Sequence, residues 1–250
     1  MNKRILRYSC FDLDDNLLYM NTPLILLKGD KDITVSSKEF AKIRHKIGTE
    51  YFFTDYSLDE FENEDRFILD VISAVKEKRF APSWKYFITT LKKGNLFSII
   101  TARSNNKATI KKAIEWIIYN YLTEQQRTNM LKNLEIWNKL FDLKPDNLIQ
   151  EYLDSCKIYC VSGKEFKEIY GDLPTEEAKK KALKEFTKKV HEFGQRIKAK
   201  IKLSFSDDDI KNVETIKKYM SDELSLEYPM TMIVFDSSKD KLKKDVIKKV

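Results

Sequence analysis

The chain has 250 residues, of which 42% are hydrophobic and 34% charged, as is usual for a globular protein. No apolar stretch approaches the roughly 20 residues of a membrane span, and the N-terminal residues do not resemble a signal peptide, so we expect a cytoplasmic protein with no membrane partner. The net charge of +7 mildly favours an anionic partner, either a phosphorylated metabolite or a nucleic acid.

The N-terminal segment predicts a buried strand that ends in acidic residues. An apolar run over residues 5–11 is interrupted only by Arg7 and Ser9, and it leads directly into Asp12 and Asp14. Carboxylates at the end of a buried strand are costly unless a metal, a catalytic role or a turn uses them. Because Asp12 and Asp14 are two residues apart, both can face one site at the carboxyl edge of a sheet, where α/β proteins bind ligands.

Residues 19–81 predict an insertion of mixed structure after this strand. A turn over residues 28–32 lies between two β-prone segments and predicts a hairpin. Ser36 and Glu39 have the spacing of a capping box, which predicts that a helix begins there. A second helix is expected around residues 67–75, where apolar side chains share one face.

The remainder of the chain alternates predicted strands and helices. Strands are predicted over residues 96–100, 156–161, 201–205 and 230–235. Helices are predicted over residues 84–91, 105–122, 175–197 and 213–220, and a short basic helix over residues 239–249. A mainly helical segment over residues 123–155 carries no function that the sequence identifies. The alternation predicts an α/β fold with a mostly parallel sheet.

The cysteines point to a structural role. Cys10, Cys156 and Cys160 are odd in number and lack nearby histidines, which argues against a disulfide framework and against a zinc site. We therefore expect small buried core residues at these positions.

Two further strand ends and one helix carry polar side chains that fit the same site. Thr101 follows the strand over residues 96–100, and Asp207 and Asp208 follow the strand over residues 201–205. An acidic run alone is typical of a helix N-terminus. Here a predicted strand precedes the acidic run, and Asp12 follows a similar strand, so we favour a functional site over a helix N-terminus. Between these two strand ends, a lysine-rich helix is expected to begin near residue 175.

In this order, the four features resemble the four motifs of the haloacid dehalogenase (HAD) superfamily, and the resemblance spans nearly the whole chain. It implies a Rossmann-like core formed by residues 1–18 and 82–250, with a flap and cap inserted at residues 19–81. The segment at residues 123–155 would be an extra insertion within the core.

The resemblance implies a role for each motif residue. Asp12 would be the nucleophile that forms an aspartyl-phosphate, and Asp14 the general acid and base. Thr101 would donate a hydrogen bond to a phosphoryl oxygen. The resemblance also implies a Mg²⁺ cofactor. Its ligands would be Asp12, Asp14 (through its main-chain carbonyl), Asp207, Asp208 and Asn212.

The family's site also contains a lysine that pairs with the phosphoryl group and the nucleophile. Four lysines lie in the early turns of the third-motif helix: Lys179, Lys180, Lys181 and Lys184. Helical spacing allows only one or two of them to face the site. We favour Lys179 because its surroundings resemble the family best, with Lys164 as the alternative outside the helix.

The first motif departs from the family's pattern at two positions. Asn16 stands where Thr or Val is usual, and Asp15 replaces the frequent Gly.

The resemblance implies a Mg²⁺-dependent phosphatase that acts on a small phosphorylated metabolite or a nucleotide. One alternative is a polynucleotide 3′-phosphatase, and another is a non-catalytic HAD-like binding protein. The intact acidic motifs argue against a decayed site. A dehalogenase is less favoured, since those enzymes generally lack the second aspartate of the first motif.

Overall fold

A computed structural model describes residues 5–141, 147–239 and 241–248, and eight strands lie in these ranges. Numbered in chain order, they are β1 (Ile5–Phe11), β2 (Leu24–Lys28), β3 (Lys31–Val35), β4 (Phe97–Thr101), β5 (Lys157–Cys160), β6 (Lys200–Asp207), β7 (Thr231–Asp236) and β8 (Lys243–Lys248). Strands β2 and β3 pair as an antiparallel hairpin, as the turn over residues 28–32 predicted. The other six strands form one sheet.

The helices connect the strands and flank the sheet. They are α1 (Ser37–Ile43), α2 (Asp59–Glu62), α3 (Glu64–Lys76), α4 (Trp84–Lys92), α5 (Lys107–Asn120), α6 (Glu124–Phe141), α7 (Leu148–Ser155), α8 (Lys164–Tyr170), α9 (Thr175–Arg196), α10 (Ile210–Tyr219) and α11 (Ser225–Glu227). A 3₁₀ turn over Arg44–Lys46 follows α1, and a π-helical turn over Met220–Leu224 follows α10. Within the described ranges, no helix combines the length and the apolar character that crossing a membrane requires.

The central sheet has the strand order β5-β4-β1-β6-β7-β8. The pairs from β5 to β7 are parallel, and only β8 runs antiparallel to its neighbour. The predicted α/β class with a mostly parallel sheet is therefore confirmed. All five strands that the sequence predicts for this sheet are present, with ends that differ by at most two residues.

The C-terminal prediction of a basic helix over residues 239–249 is wrong, because Lys243–Lys248 form strand β8. Lysine favours helices only weakly, whereas β7 without β8 would expose a full row of unpaired backbone groups. Pairing with β7 satisfies those groups, and the lysines of β8 then lie on the sheet edge, where charge discourages further strand addition.

The strand order places a topological switch point beside β1. From β1 the chain proceeds to β4 and β5 on one side, and it then crosses to β6 and β7 on the other side. Ligand crevices of open α/β sheets lie at the carboxyl ends of strands that diverge in this way. The register pairs Phe11 with Ser206, so the residues that follow β1 and β6 meet at this crevice.

Both faces of the sheet are covered by apolar packing. Alternate residues of β1, such as Tyr8 and Cys10, pack with α9 and α10 on one face. Phe11 points to the other face and packs with α3, α4 and α5. The three cysteines are buried and free, as the sequence predicted. The hairpin has a small cluster of its own, whereas α3 belongs to the main core cluster although it lies within residues 19–81.

Candidate active site

A buried lysine bridges the acidic ends of two neighbouring strands. Asp12 directly follows β1, and Asp207 is the last residue of β6. Lys179 Nζ donates to Asp12 Oδ1 at 2.9 Å and to Asp207 Oδ2 at 2.7 Å, and the whole lysine is only 2% exposed. The first turns of α9, which packs against β1, β4 and β6, carry this lysine into the crevice.

The other lysines considered from the sequence lie elsewhere. Lys180 pairs with Glu177, Lys184 pairs with Glu227, and Lys181 is exposed. The side chain of Lys164 is 91% exposed. Of the candidates, Lys179 is therefore the one that contacts Asp12.

Three carboxylates form a set of oxygen donors at the crevice, and an amide donates to one of them. Asp12, Asp207 and Asp208 each offer an oxygen, and these atoms all lie within 4.8 Å of one another. Asn212, in the first turn of α10, donates from Nδ2 to both oxygens of Asp207 at 3.3 Å. Its buried Oδ1 has no hydrogen-bond partner among the described residues. The three clustered carboxylates are hard oxygen donors that could hold a divalent cation such as Mg²⁺, whereas the amide oxygen of Asn212 faces away from Asp207.

The electrostatics of this cluster also favour a bound cation. Burial raises the pKa of Asp12, the charge of Lys179 lowers it and that of Asp207 raises it again, so that the pKa lies at about 7. Burial, followed by the charges of Asp12 and Asp207, raises the pKa of Asp208 to about 9. Burial lowers the pKa of Lys179, but the two neighbouring carboxylates outweigh it and keep this lysine protonated. Without a cation, Asp208 stays protonated at neutral pH and Asp12 is partly protonated.

We expect the metal-free protein to lose stability as the pH rises from the ordinary aspartate pKa of 3.8 to about 9. In this window the folded state binds protons on Asp12 and Asp208 that the unfolded chain has released, so the free energy of unfolding falls with pH. A cation that binds these carboxylates in the folded state, such as Mg²⁺, should reverse the loss. Thermal unfolding in EDTA and in Mg²⁺ at several pH values measures both effects.

The control for this titration is Asp208→Asn, which should weaken the pH dependence in EDTA and leave only the part due to Asp12, below a pH of about 7. If Mg²⁺ left the melting temperature unchanged at a pH of about 8, that result would contradict a cation site at these carboxylates.

The carboxylate of Asp14 is not part of the cluster, because Arg103 holds both of its oxygens. Arg103 Nε donates to Asp14 Oδ2 and Nη2 donates to Asp14 Oδ1, each at 2.8 Å. Arg103 Nη2 also donates to Thr22 Oγ1 at 2.8 Å, and Thr22 in turn donates to Asp70 of α3 at 2.7 Å. Arg103 is 3% exposed, so its guanidinium is shielded from water, whereas the side chain of Asp14 is 17% exposed.

Two aromatic rings enclose the same guanidinium. Its Cζ lies 4.8 Å from the ring centroid of Phe61 and 5.0 Å from that of Phe67. Phe67, like Thr22 and Asp70, lies within residues 19–81, so Arg103 connects Asp14 to that segment. Arg103 is not among the residues for which the sequence predicted a role. The available signal was an arginine two residues after Thr101, at the same strand end.

Thr101 lies at the end of β4, next to β1 in the sheet. The register pairs Phe11 with Ile99, which brings Thr101 to the same carboxyl edge as Asp12. Thr101 is buried, and its Oγ1 accepts a hydrogen bond from the backbone N–H of Arg103 at 3.3 Å. Among the described residues, no hydrogen-bond acceptor takes the proton of this hydroxyl.

Both departures in the first motif have a structural reason. Asp15 adopts a positive φ of 54°, a left-handed conformation that glycine prefers and that aspartate tolerates better than most residues. Asn16 is fully buried, and its Nδ2 donates to the main-chain oxygens of Asp12 and Ser206. Its Oδ1 accepts from three serine hydroxyls, those of Ser83, Ser206 and Ser237. Asn16 thus ties the end of β1 to the end of β6.

The segment around α1 contacts the acidic loops on both sides of the crevice. Ser37 donates to Asp15 at 2.9 Å, and Arg44 Nη2 donates to Asp209 Oδ1 at 3.0 Å. These contacts hold residues of the segment 19–81 beside the carboxylate cluster.

The chain matches no family model, no curated protein and no solved structure. What it can do therefore has to be inferred from the crevice itself. There a lysine bridges two buried aspartates, a third carboxylate lies beside them in a cluster that could hold a cation, and an arginine holds a fourth aspartate.

Proposed function

We propose that the chain is a Mg²⁺-dependent phosphomonoester hydrolase of the haloacid dehalogenase type. The observation that carries this proposal is the Lys179 bridge between Asp12 and Asp207, in a carboxylate cluster at the switch point of the sheet. A phosphoryl group needs a nucleophile, charge compensation and an acid for the leaving oxygen, and these residues offer each of them.

Asp12 is the nucleophile in this proposal. Lys179 binds Oδ1, so we assign the attack to Oδ2. As the Oδ2–P bond forms, the bond from phosphorus to the leaving oxygen breaks, and Asp14 gives that oxygen a proton. In the second step a water molecule attacks phosphorus, Asp14 takes its proton, and the P–Oδ2 bond breaks to release phosphate. The charge of Lys179 keeps the phosphoryl group and the carboxylate together despite their like charge.

Asp12, Asp207 and Asp208 would hold Mg²⁺, with Asp207 oriented by Lys179 and Asn212. The ion would compensate the charge of the phosphoryl oxygens. Within the protein, Asn16 fixes the main chain at Asp12, and Thr101 can donate to a phosphoryl oxygen from the neighbouring strand end.

In each turnover Asp14 must give up one of its two hydrogen bonds from Arg103 and form a hydrogen bond to the leaving oxygen instead. We expect Arg103→Lys to lower kcat by about 10- to 100-fold with little change in KM, because an ammonium group cannot hold both carboxylate oxygens. The pH dependence of kcat should shift as well, since Arg103 acts through Asp14. Arg196→Gln, at an exposed position in α9, is the control. Wild-type kcat and an unchanged pH profile in Arg103→Lys would contradict this role.

The charges of α9 support a small substrate over a polynucleotide. Its lysines are largely paired with acids, in the pairs Lys180–Glu177, Lys184–Glu227 and Lys189–Glu185. A nucleic-acid site needs an unpaired basic face that can neutralise successive phosphates.

The test is phosphate release, with Mg²⁺ or EDTA, from a panel of sugar phosphates, nucleotides and 3′-phosphorylated oligonucleotides. We expect Mg²⁺-dependent release that is faster from the small substrates. Preference for the oligonucleotide would favour a polynucleotide 3′-phosphatase, and no release from any compound would favour a binding protein.

A further inference from the structure

A chain of hydrogen bonds continues from Asp14 through Arg103 to a further buried carboxylate, that of Asp70. Arg103 Nη2 donates to Asp14 Oδ1 and to Thr22 Oγ1, each at 2.8 Å, and Thr22 Oγ1 donates to Asp70 Oδ2 at 2.7 Å. Arg66 Nε donates to the other oxygen of Asp70, Oδ1, at 3.0 Å. The proposed phosphoryl transfer involves Asp14 and Arg103, whereas Thr22 and Asp70 have no part in it so far.

The direction of each hydrogen bond in this chain is fixed by the groups that form it. A guanidinium only donates, so Thr22 Oγ1 accepts from Arg103. The single proton of the Thr22 hydroxyl is then left for Asp70, whose carboxylate accepts it. Asp70 also accepts from Arg66, so both of its oxygens act as acceptors. An amide at this position has only one oxygen and could accept only one of the two bonds.

Burial makes the chain of bonds sensitive to the loss of any one partner. Thr22 is 1% exposed and Asp70 is 5% exposed, and the guanidinium of Arg103 is buried beside them. Water therefore has little access to replace a missing donor or acceptor, and a buried polar group without a partner is costly. A change at Asp70 should consequently be felt at Thr22 and Arg103.

Asp70 lies on a helix that is packed into the main core. Its neighbours in α3, Phe67 and Val71, are buried in the same cluster as Phe11 at the end of β1. Asp14, by contrast, lies in the loop after β1, at the crevice. The hydrogen bonds therefore connect a carboxylate of the crevice to a firmly packed element outside it, as precise positioning of a reacting group requires.

We propose that Asp70 is a positioning residue for phosphoryl transfer, which acts through Thr22 and Arg103 to hold the carboxylate of Asp14 towards the leaving oxygen. This inference rests on the proposed phosphatase function. When Asp14 gives up one hydrogen bond from Arg103 during turnover, the bond from Arg103 to Thr22 keeps the guanidinium in place, and the lost bond can form again. Position matters here, because a displacement of about 1 Å can lower a rate by about 10²-fold.

The kinetic test compares two substrates that differ in their need for an acid. The alkyl oxygen of a sugar phosphate leaves with a proton, whereas dinitrophenyl phosphate releases a stable phenolate without one, and kcat/KM reports the step in which each leaving group departs. We expect Asp70→Asn to lower the ratio of kcat/KM values, sugar phosphate over dinitrophenyl phosphate, by about 10-fold. Damage to the fold would lower both values together. An unchanged ratio in Asp70→Asn would overturn the proposal.

Two further variants test the route from Asp70 to Asp14. Asp65→Asn alters an exposed aspartate of the same helix and should keep the ratio within about 2-fold. Thr22→Val removes the hydroxyl but keeps the shape of the side chain, and it should lower the ratio as Asp70→Asn does. Because Asp70 acts through Thr22, the double variant should lose no more than Thr22→Val alone. Losses that multiply in the double variant would overturn this route.

A spectroscopic test separates this inference from the phosphatase function. The Nε–H of Arg103 is bonded to Asp14, so its signal in ¹⁵N-labelled metal-free protein should exchange slowly with water. We expect Asp70→Asn to speed this exchange by about 10-fold or more, and Asp65→Asn to leave it unchanged. Faster exchange without phosphate release from any substrate would leave the hold of Asp70 on Arg103 standing and overturn the phosphatase. Phosphate release with unchanged exchange in Asp70→Asn would leave the phosphatase standing and overturn the role of Asp70.

Discussion

Asp12→Asn is expected to lower phosphate release by at least about 10³-fold, because the amide keeps the shape of the side chain but is no nucleophile. The loss should appear in kcat for every substrate of the panel. The variant should nevertheless fold, since the replaced carboxylate has a pKa raised to about 7 and contributes charge repulsion to the metal-free site. Steady-state kinetics and thermal unfolding of the same preparation measure the two effects separately.

The matched control is Asp236→Asn. Asp236 ends β7 and pairs in register with Asp207, but it lies one strand farther from β1 and accepts from Ser238. We expect this variant to keep its activity within about 3-fold, as substitutions outside the reacting groups usually do. Asp12→Asn with wild-type kcat would exclude the covalent mechanism.

Lys179→Met is expected to lower both activity and stability. The substitution leaves Asp12 and Asp207 close together without the cation that bridges them, and removing one partner of a buried ion pair costs about 3–5 kcal/mol. Activity should fall by about 10²-fold or more, because the phosphoryl group and Asp12 would then repel each other. Thermal or urea unfolding and kcat/KM, measured on protein with a native circular dichroism spectrum, report the two losses.

Lys188→Met, at an exposed position farther along α9, is the control and should change the free energy of unfolding by no more than about 0.5 kcal/mol. If the two lysine variants were equally active, the role of Lys179 in phosphoryl transfer would have to be abandoned.

Local patterns predicted the parts of the fold that depend on sequence periodicity and on strand-end chemistry. The buried strand before Asp12 and the strands before Thr101 and Asp207 were recognisable because continuous apolar runs end in polar residues. The parallel alternation then required these ends to meet at one edge. Choosing Lys179 among four neighbouring lysines needed the resemblance, since helical spacing alone left more than one candidate.

The features that were missed depend on contacts between distant segments. Strand β8 forms because β7 offers an open edge, which a lysine-rich segment does not reveal by itself. Arg103 follows Thr101 in sequence, but its contacts depend on Asp14 and Thr22, which the fold brings to it. Asn16 was noticed only as a departure from a pattern, and its buried bonds explain why the departure is tolerated.

The central claim is that Asp12 carries the phosphoryl group between two displacements at phosphorus. Each in-line displacement inverts the configuration, so a substrate with a phosphorus centre made chiral by oxygen isotopes distinguishes two steps from one. We expect overall retention of configuration when the phosphoryl group is transferred to an acceptor alcohol in the presence of Mg²⁺. Overall inversion would show direct attack of the acceptor on the substrate and would contradict the aspartyl-phosphate mechanism.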